Sequence, residues 1–560
     1  MRGKAKGLIF VSLLLVVSLF LAACGGGGNE KSSSGSQSSG KLADKQVLYL
    51  YQTADIPTLD YAKATDSTSG DMLSMLQGGL MMVDNNKVVP DMAAAQPKVS
   101  ADGKVYTFKI RDNAKWSDGS PVTAQDFVYA WHRELDPKTG APYAYIYASA
   151  NIKNAAKILD KNSDLYGKVD QLGVKALDDK TLQVTLEKPT PYFVSLMSFY
   201  PFLPVKKDFV EKQGDKYAKE PENMLYNGPY VLAKWDHGQG WTFKKNPNYW
   251  DAKNITIDEV NYQVVKDSTT SLNLYKTDKV FVKYLSSEFV DEYKNSSEFK
   301  YVPGNCMFYL KLNVAKVPAF KNTKVRQAIS MAIDRDGLTK VLLNNGSIPA
   351  HYFVPKNFTK GPDGKDFRAA APNGYLLGGK DEAKKLWNEA KKELGISTLK
   401  LEYLTTDSDT ASKFAEYDAN QIEKTLDGVK ITIDKQPWNE YLKRNDQGDY
   451  DIGGGAAWCP DYQDPMTFLD MWTTGSQNNT GKWSNKQYDQ LIQDAVNLGN
   501  KPAERWAKLQ EAEKLLITEA PIVPEYQTGQ AVLVKPYVKG LVFQNYGASI
   551  DYRHAKILQH

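Results

Sequence analysis

The run Gly453–Pro465, GGGAAWCPDYQDP, gathers the residue types best suited to holding another molecule. Gly453, Gly454 and Gly455 carry no side chain, so backbone can approach closely there. Ala456 and Ala457 continue the strip of small residues. Trp458 adds a broad flat face, Cys459 a possible cross-link and Asp461 a carboxylate just beyond it. Tyr450 and Ile452, immediately upstream, read as a short strand. A strand that ends in a bare edge, an aromatic wall and a fixed negative charge suits an extended guest with exposed amides and a positive end. The plainer reading is a glycine-rich turn beside a surface aspartate, and the motif alone does not separate the two.

The rest of the chain argues against most other chemistry. The five histidines, His132, His237, His351, His554 and His560, are scattered, with no H-E-x-x-H and no pair at ligand spacing. No G-x-S-x-G nucleophile elbow is present. No metal or cofactor is expected, and an anchored hydrolase finds support only in the abundance of carboxylates. Formal net charge is +4, falling to +1 without Arg2, Lys4 and Lys6, which gives no electrostatic claim on nucleic acid. The 33 tyrosines exceed what a core needs and favour binding surfaces.

The elements that must position the site come from a large chain. Arg2, Lys4 and Lys6 precede the uncharged apolar run Leu8–Ala23, the layout of an export signal. That run is a little short for a membrane span, which needs about 20 apolar residues. Leu21-Ala22-Ala23-Cys24 then resembles the lipobox of bacterial lipoproteins, which implies that Cys24 is lipidated and becomes the mature N-terminus. Gly25–Gly40, nearly all Gly, Ser, Asn and Gln, reads as a flexible leash. About 520 residues remain, too many for one core, so two or three lobes are expected. Of the other two cysteines, Cys306 and Cys459, an even pair in an exported chain favours a disulfide, with two separate buried thiols as the alternative.

Periodicity places strands at Val47–Tyr51, Val105–Arg111, Leu182–Leu186, Tyr230–Lys234, Trp241–Lys244, Glu259–Val265 and Met307–Leu312. Helices are expected at Met72–Leu80, at Ala124–Glu134 behind a Thr123 cap, at Thr323–Leu343, Asp381–Leu394, Phe414–Leu426, Tyr488–Val496 and Glu504–Ile517. Strands and helices alternate, which makes the lobes α/β.

Several motifs together resemble the extracellular solute-binding proteins of family 5, which serve ATP-driven importers. They are Trp116-Ser117-Asp118-Gly119 with Val122–Phe127, Asn227-Gly228-Pro229-Tyr230, Lys245–Trp250, and Val325–Ile329 with Ala332–Arg335. Within that family Trp458–Tyr462, Asp464-Pro465 and Asn478-Asn479-Thr480 are most similar to the oligopeptide-binding branch, as is a cysteine before a strand at Cys306, which supports the bridge.

The resemblance implies a periplasmic-binding-protein type II-like clam of three domains with a hinge. Residues 1–23 are then signal and 24–41 leash. Domain I is built from 42–77, 204–304 and 528–560, domain II is the insertion 78–203, and domain III spans 305–527. An oligopeptide lies extended between domains I and III. The resemblance assigns its backbone to Ala457, Trp458 and Cys459 on one side and to Thr65, Asp66 and Ser67 on the other. Its α-ammonium goes to Asp461, and Trp438 and Trp458 are pocket walls. Members that take one short length place basic residues for the peptide carboxylate. The matching positions here are Gly455 and Asn445, both uncharged, with Arg444 one step away, which leaves room for longer guests. The implied protein is a monomeric non-enzyme, lipid-anchored at the outer face of the cell membrane, that hands oligopeptides to the permease and ATPase subunits of an importer. A receptor for a signalling peptide would use the same site.

The anchor has a direct test. Cys24→Ala is expected to move the protein from the detergent phase to the aqueous phase in detergent phase partitioning. Unchanged partitioning would remove the lipoprotein reading.

Overall fold

The computed structural model describes residues 40–560 apart from Ala456 and Asn545; the signal, Cys24 and most of the leash lie outside the described residues. Ordered pairing begins where the leash was expected to end: Leu42 bridges Leu558, and the Ala43 N–H donates to the Ile557 carbonyl. No helix among the described residues is long and apolar enough to cross a membrane.

One sheet is built from Val47–Gln52, Glu259–Val264, Gly240–Lys245 and Tyr230–Asp236, in that order. The first pair is parallel and the last two strands form the expected hairpin. A second sheet of four antiparallel strands runs Lys98–Val99, Val105–Lys109, Thr181–Thr185, Val174–Asp178. Helix Ala124–Leu135 packs beside it. The Asp126 carboxylate accepts from the Thr123 N–H (2.8 Å) and the Trp116 indole N–H (3.1 Å), so the Trp116–Phe127 motif is a helix start locked to a tryptophan.

The third sheet has eight strands and carries the site. Its main path is Val282–Tyr284, Ile522–Val534, Phe299–Leu312, Ile452–Gly453, Leu399–Thr406, Val429–Gln436. The two long strands in it, Phe299–Leu312 and Ile522–Val534, pair from Phe299↔Leu533 to Lys311↔Ile522. At one end Ala531 and Leu533 are buried with Tyr51, Leu272 and Tyr275. At the other, Leu310, Leu312 and Val523 are buried under helices Thr323–Ala332, Lys380–Leu394 and Asp409–Thr425. The same two strands therefore enter two separate cores, with a register shift between Pro303 and Met307 in the middle.

Three expected helices differ in extent. Phe414–Leu426 is Asp409–Thr425, begun earlier because the Ser408 hydroxyl accepts from the Ala411 N–H. Met72–Leu80 is Ser67–Leu76, begun earlier because the Asp66 carboxylate accepts from the Ser69 N–H at its start. Thr323–Leu343 does not run unbroken: the helix ends at Ala332 and Ile333 is extended. The Asp334 side chain then caps a new turn at Gly337, followed by a π-helical stretch Leu338–Leu343. The break turns Arg335 inward, where its guanidinium donates to the carbonyls of Ser330, Ala350 and Pro524. Apolar periodicity carries on across this break, which is why spacing alone reads one helix.

Cys306 and Cys459 are joined in a disulfide that closes 153 residues of chain. In the chain-entropy account such a loop stabilises by roughly 5 kcal/mol, and loss of a native bridge typically costs about 2–5 kcal/mol. The double variant Cys306→Ala/Cys459→Ala is expected to unfold at lower urea concentration by that amount. An unchanged midpoint would show that the bridge does not constrain the chain.

Candidate binding cleft

The disulfide continues a ladder. Met307 pairs with Trp458 and Phe308 with Ala457, so the cysteines occupy the next rung. Strand Ala457–Trp458 uses one edge for this pairing. Among the described residues its other edge has no strand or backbone partner. Further along, Lys311 pairs with Gly453, which leaves one extra residue between Gly453 and Ala457 opposite Phe308–Lys311. This is a bulge, a feature that bends a strand and ends pairing. The glycines exist to make it. A Cβ on Gly454 would lie 2.3 Å from the Tyr403 hydroxyl, and Gly455 has φ +82° with Thr405 Oγ1 2.6 Å from where its Cβ would be. Their close approach is to their own lobe rather than directly to a guest.

Everything around Asp461 is pinned. The Trp458 indole N–H donates to the Thr467 carbonyl (2.8 Å), and the Asp461 N–H donates to Thr467 Oγ1 (3.2 Å). Tyr462 stacks on Tyr192 at 4.5 Å. The Gln463 N–H donates to Ser195 Oγ (3.0 Å) and its side chain accepts from the Tyr546 hydroxyl (3.2 Å). Asp464 takes a bidentate grip from buried Arg505, at 2.8 and 2.7 Å.

The Asp461 carboxylate itself has no cation within salt-bridge distance among the described residues. Burial pushes its carboxyl up to about 8, repulsion from Asp470 adds to the rise, and the Tyr143 hydroxyl pulls it back. Asp470 is likewise raised to about 7, chiefly by burial. Tyr143, Tyr145 and Tyr200 surround Asp461, and its charge raises all three hydroxyls further after burial has done so. Tyr143 stacks on Tyr145 and meets Tyr200 edge-on at 5.7 Å. These tyrosines were not read as site residues; the excess of tyrosine was the only sign of them.

The same tyrosines bring in the opposite segment. The Tyr200 hydroxyl donates to the Ala64 carbonyl (3.1 Å), and Asp66 also acts on Tyr143 and Tyr200. Thr65 is exposed and Asp66 extended, while Ser67 is already the first helical residue. Trp438 is 50% exposed and stacks on Tyr441 at 5.5 Å, at the start of helix Trp438–Gln447. Asn445 lies on that helix and accepts from the Lys311 ammonium. Arg444 is not free to take a guest carboxylate: it is held by Glu402 (2.7 Å), Asp449 (3.1 Å) and Asp434.

The model of the bacterial extracellular solute-binding proteins, family 5 (middle), matches residues 87–480. This chain belongs to that family. The family 5 relative DppE, the dipeptide-binding protein of Bacillus subtilis (strain 168), is 34% identical over 512 residues, covering 91% of each protein. The substrate-binding domain of an oligopeptide ABC transporter from Bacillus anthracis str. Ames is 42% identical, with TM-score 0.83 over 93% of this chain and 100% of that one. The pheromone receptor PrgZ, solved for its mode of peptide binding, is 36% identical, with TM-score 0.82 over 92% and 99%. The architecture is accordingly the α/β, type II periplasmic-binding-protein clam of family 5. Two structures of the murein tripeptide-binding protein MppA, both 33% identical, report on the lobes: one fits with TM-score 0.81, the unliganded open form with 0.70.

If Asp461 meets a cationic guest, its raised carboxyl predicts pH-dependent binding. At pH 7 a carboxyl raised to about 8 is mostly protonated in the empty site, and the guest would ionise it. Capture is then expected to release about one proton, with affinity rising up to about pH 8. The empty protein shows the reverse in stability. A carboxyl whose pKa is raised on folding supports the fold at low pH, and that support fades as pH climbs from about 4 towards 8. Calorimetry at pH 6.5 in buffers of different ionisation enthalpy is expected to report the released proton for wild type and none for Asp461→Asn.

Proposed function

We propose that this protein is a lipid-anchored, extracellular carrier that captures oligopeptides in extended form and delivers them to an ABC importer. The observation that carries the reading is a free strand edge at Ala457–Trp458 beside a desolvated, unpaired carboxylate, Asp461. Such an edge offers amides and carbonyls to any peptide, whatever its side chains. Asp461 receives the peptide's α-ammonium. Ala457, Trp458 and Cys459 hold the backbone from one lobe, and Thr65, Asp66 and Ser67 from the other. Trp458 and Trp438 form flat walls that tolerate varied side chains. Domain I is assigned to 42–77, 204–304 and 528–560, domain II to 78–203 and domain III to 305–527. Cys24 is the anchor, the protein works as a monomer, and its partners are the permease and ATPase subunits. The likeness to a pheromone receptor supports a second reading, a signalling peptide in the same site.

A double-mutant cycle tests the carrying observation. Asp461→Asn keeps the shape and removes the charge. A peptide with a free N-terminus is expected to lose about 2–5 kcal/mol, roughly thirtyfold to several-thousandfold in Kd. The same peptide N-acetylated binds wild type poorly and loses much less on the substitution, so the two changes are strongly non-additive. Equal losses for both forms in calorimetry would mean that Asp461 is not the amine receptor.

A further inference from the structure

We propose that the Lys311 ammonium is a second charged receptor in this cleft, one that takes a carboxylate of the guest. The inference rests on reading the cleft as a peptide site and names the group at its other end.

Lys311 stands on the strand whose rungs carry the free edge. Met307 and Lys311 are four residues apart on Phe299–Leu312, so both project from the same face. Their partners, Trp458 and Gly453, share it. The face that presents the Trp458 indole therefore also presents the Lys311 ammonium, about 13 Å further along at roughly 3.3 Å per residue. An extended guest covers that span with about four residues. Gly453 faces Lys311 without a side chain; the Tyr450 ring lies 3.2 Å from where its Cβ would be, so the cover on that side is a neutral ring.

The surroundings of Lys311 supply no anion in direct contact, among the described residues. No carboxylate lies within 4 Å of it among the described residues. Its hydrogen-bond acceptor is a neutral amide oxygen, Asn445 Oδ1, and the Tyr450 ring lies 5.5 Å away. The Asn445 amide nitrogen donates to Asp446 (3.1 Å), which fixes the oxygen towards Lys311. Neighbouring Arg444 consumes Glu402, Asp434 and Asp449. Burial lowers the Lys311 ammonium to about 8, and Asp446, the charge it feels, offsets this only in part. A desolvated cation with a neutral partner gains most from an incoming anion.

The guest's carboxylate has two sources, its C-terminus or an Asp or Glu side chain. The test uses peptides of three to seven residues, each as the free acid and as the C-terminal amide, with interior Glu or Gln. Kd is measured by calorimetry for wild type, Lys311→Gln and Lys311→Arg. Lys311→Gln is expected to weaken carboxylate-bearing guests by about thirtyfold or more and to leave their neutral counterparts within twofold. Lys311→Arg keeps the preference. Loss confined to free acids of one length identifies the C-terminus; loss confined to Glu-bearing peptides identifies a side chain. If Lys311→Gln weakens acids and amides alike, or neither, while wild type binds peptides, this assignment is overturned and the peptide cleft stands. If wild type binds none of the peptides, both readings fall.

Discussion

A strand edge left without a partner is a liability, because its amides and carbonyls will pair with whatever arrives. One such edge here, Ala457–Trp458, is only two residues long, and the surrounding structure holds it in place. Ala457–Trp458 is fixed by its rungs to Met307 and Phe308, by the adjoining disulfide and by the indole bond to Thr467. The glycine bulge just before it removes Gly454 and Gly455 from the ladder, so the open edge stays short. An edge this short offers too little to template a larger sheet.

The strand it leans on is one of two that run between cores. Phe299–Leu312 and Ile522–Val534 are buried with Tyr51 and Leu272 at one end and beneath the long helices at the other. Their register shifts between Pro303 and Met307, the stretch that contains the disulfide residue Cys306, and again between Phe308 and Tyr309. The bare edge and these irregularities are thus neighbours on one strand.

The family was legible because its motifs are joints. Asn227 exchanges two hydrogen bonds with the backbone of Gly78, at 3.0 and 2.9 Å. Asn246 donates to the Gly228 carbonyl, and Tyr249 and Trp250 both donate to Asp91. Such joints need particular side chains at fixed places, so they stand out in one sequence. Many elements were readable from alternation and caps, but Asp334 restarted a helix inside a continuous apolar pattern, and the strands Leu399–Thr406, Val429–Gln436 and Ile522–Val534 were not read, the last because it is buried on both faces and does not alternate. The site was half readable. Trp458, Cys459 and Asp461 are contiguous and could be singled out. Tyr143, Tyr145 and Tyr200 come from a segment hundreds of residues away, and only the packing of lobe on lobe puts them around Asp461. Arg444 looked available because a sequence does not show that three carboxylates already surround it. Lys311 was invisible for the opposite reason: one lysine in an apolar strand says nothing until its neighbours prove neutral.

Asp461 and Lys311 are displaced towards each other in titration, one carboxyl raised to about 8 and one ammonium lowered to about 8, both first by burial. Burial disfavours the charged form of each, so an empty site holds Asp461 mostly as the neutral acid at pH 7 and makes the Lys311 ammonium easier to deprotonate. On the proposed reading a zwitterionic peptide offers an ammonium to one and a carboxylate to the other. A guest so held would favour whichever arrangement brings both groups against it, and that differential affinity is what a ligand needs to shift a conformational equilibrium. Side chains contribute little to this difference, because charges and backbone are common to every peptide. On the proposed reading, broad acceptance of guests and ligand-driven closure would follow from one arrangement: a short bare edge with a titratable group shifted by burial towards each end.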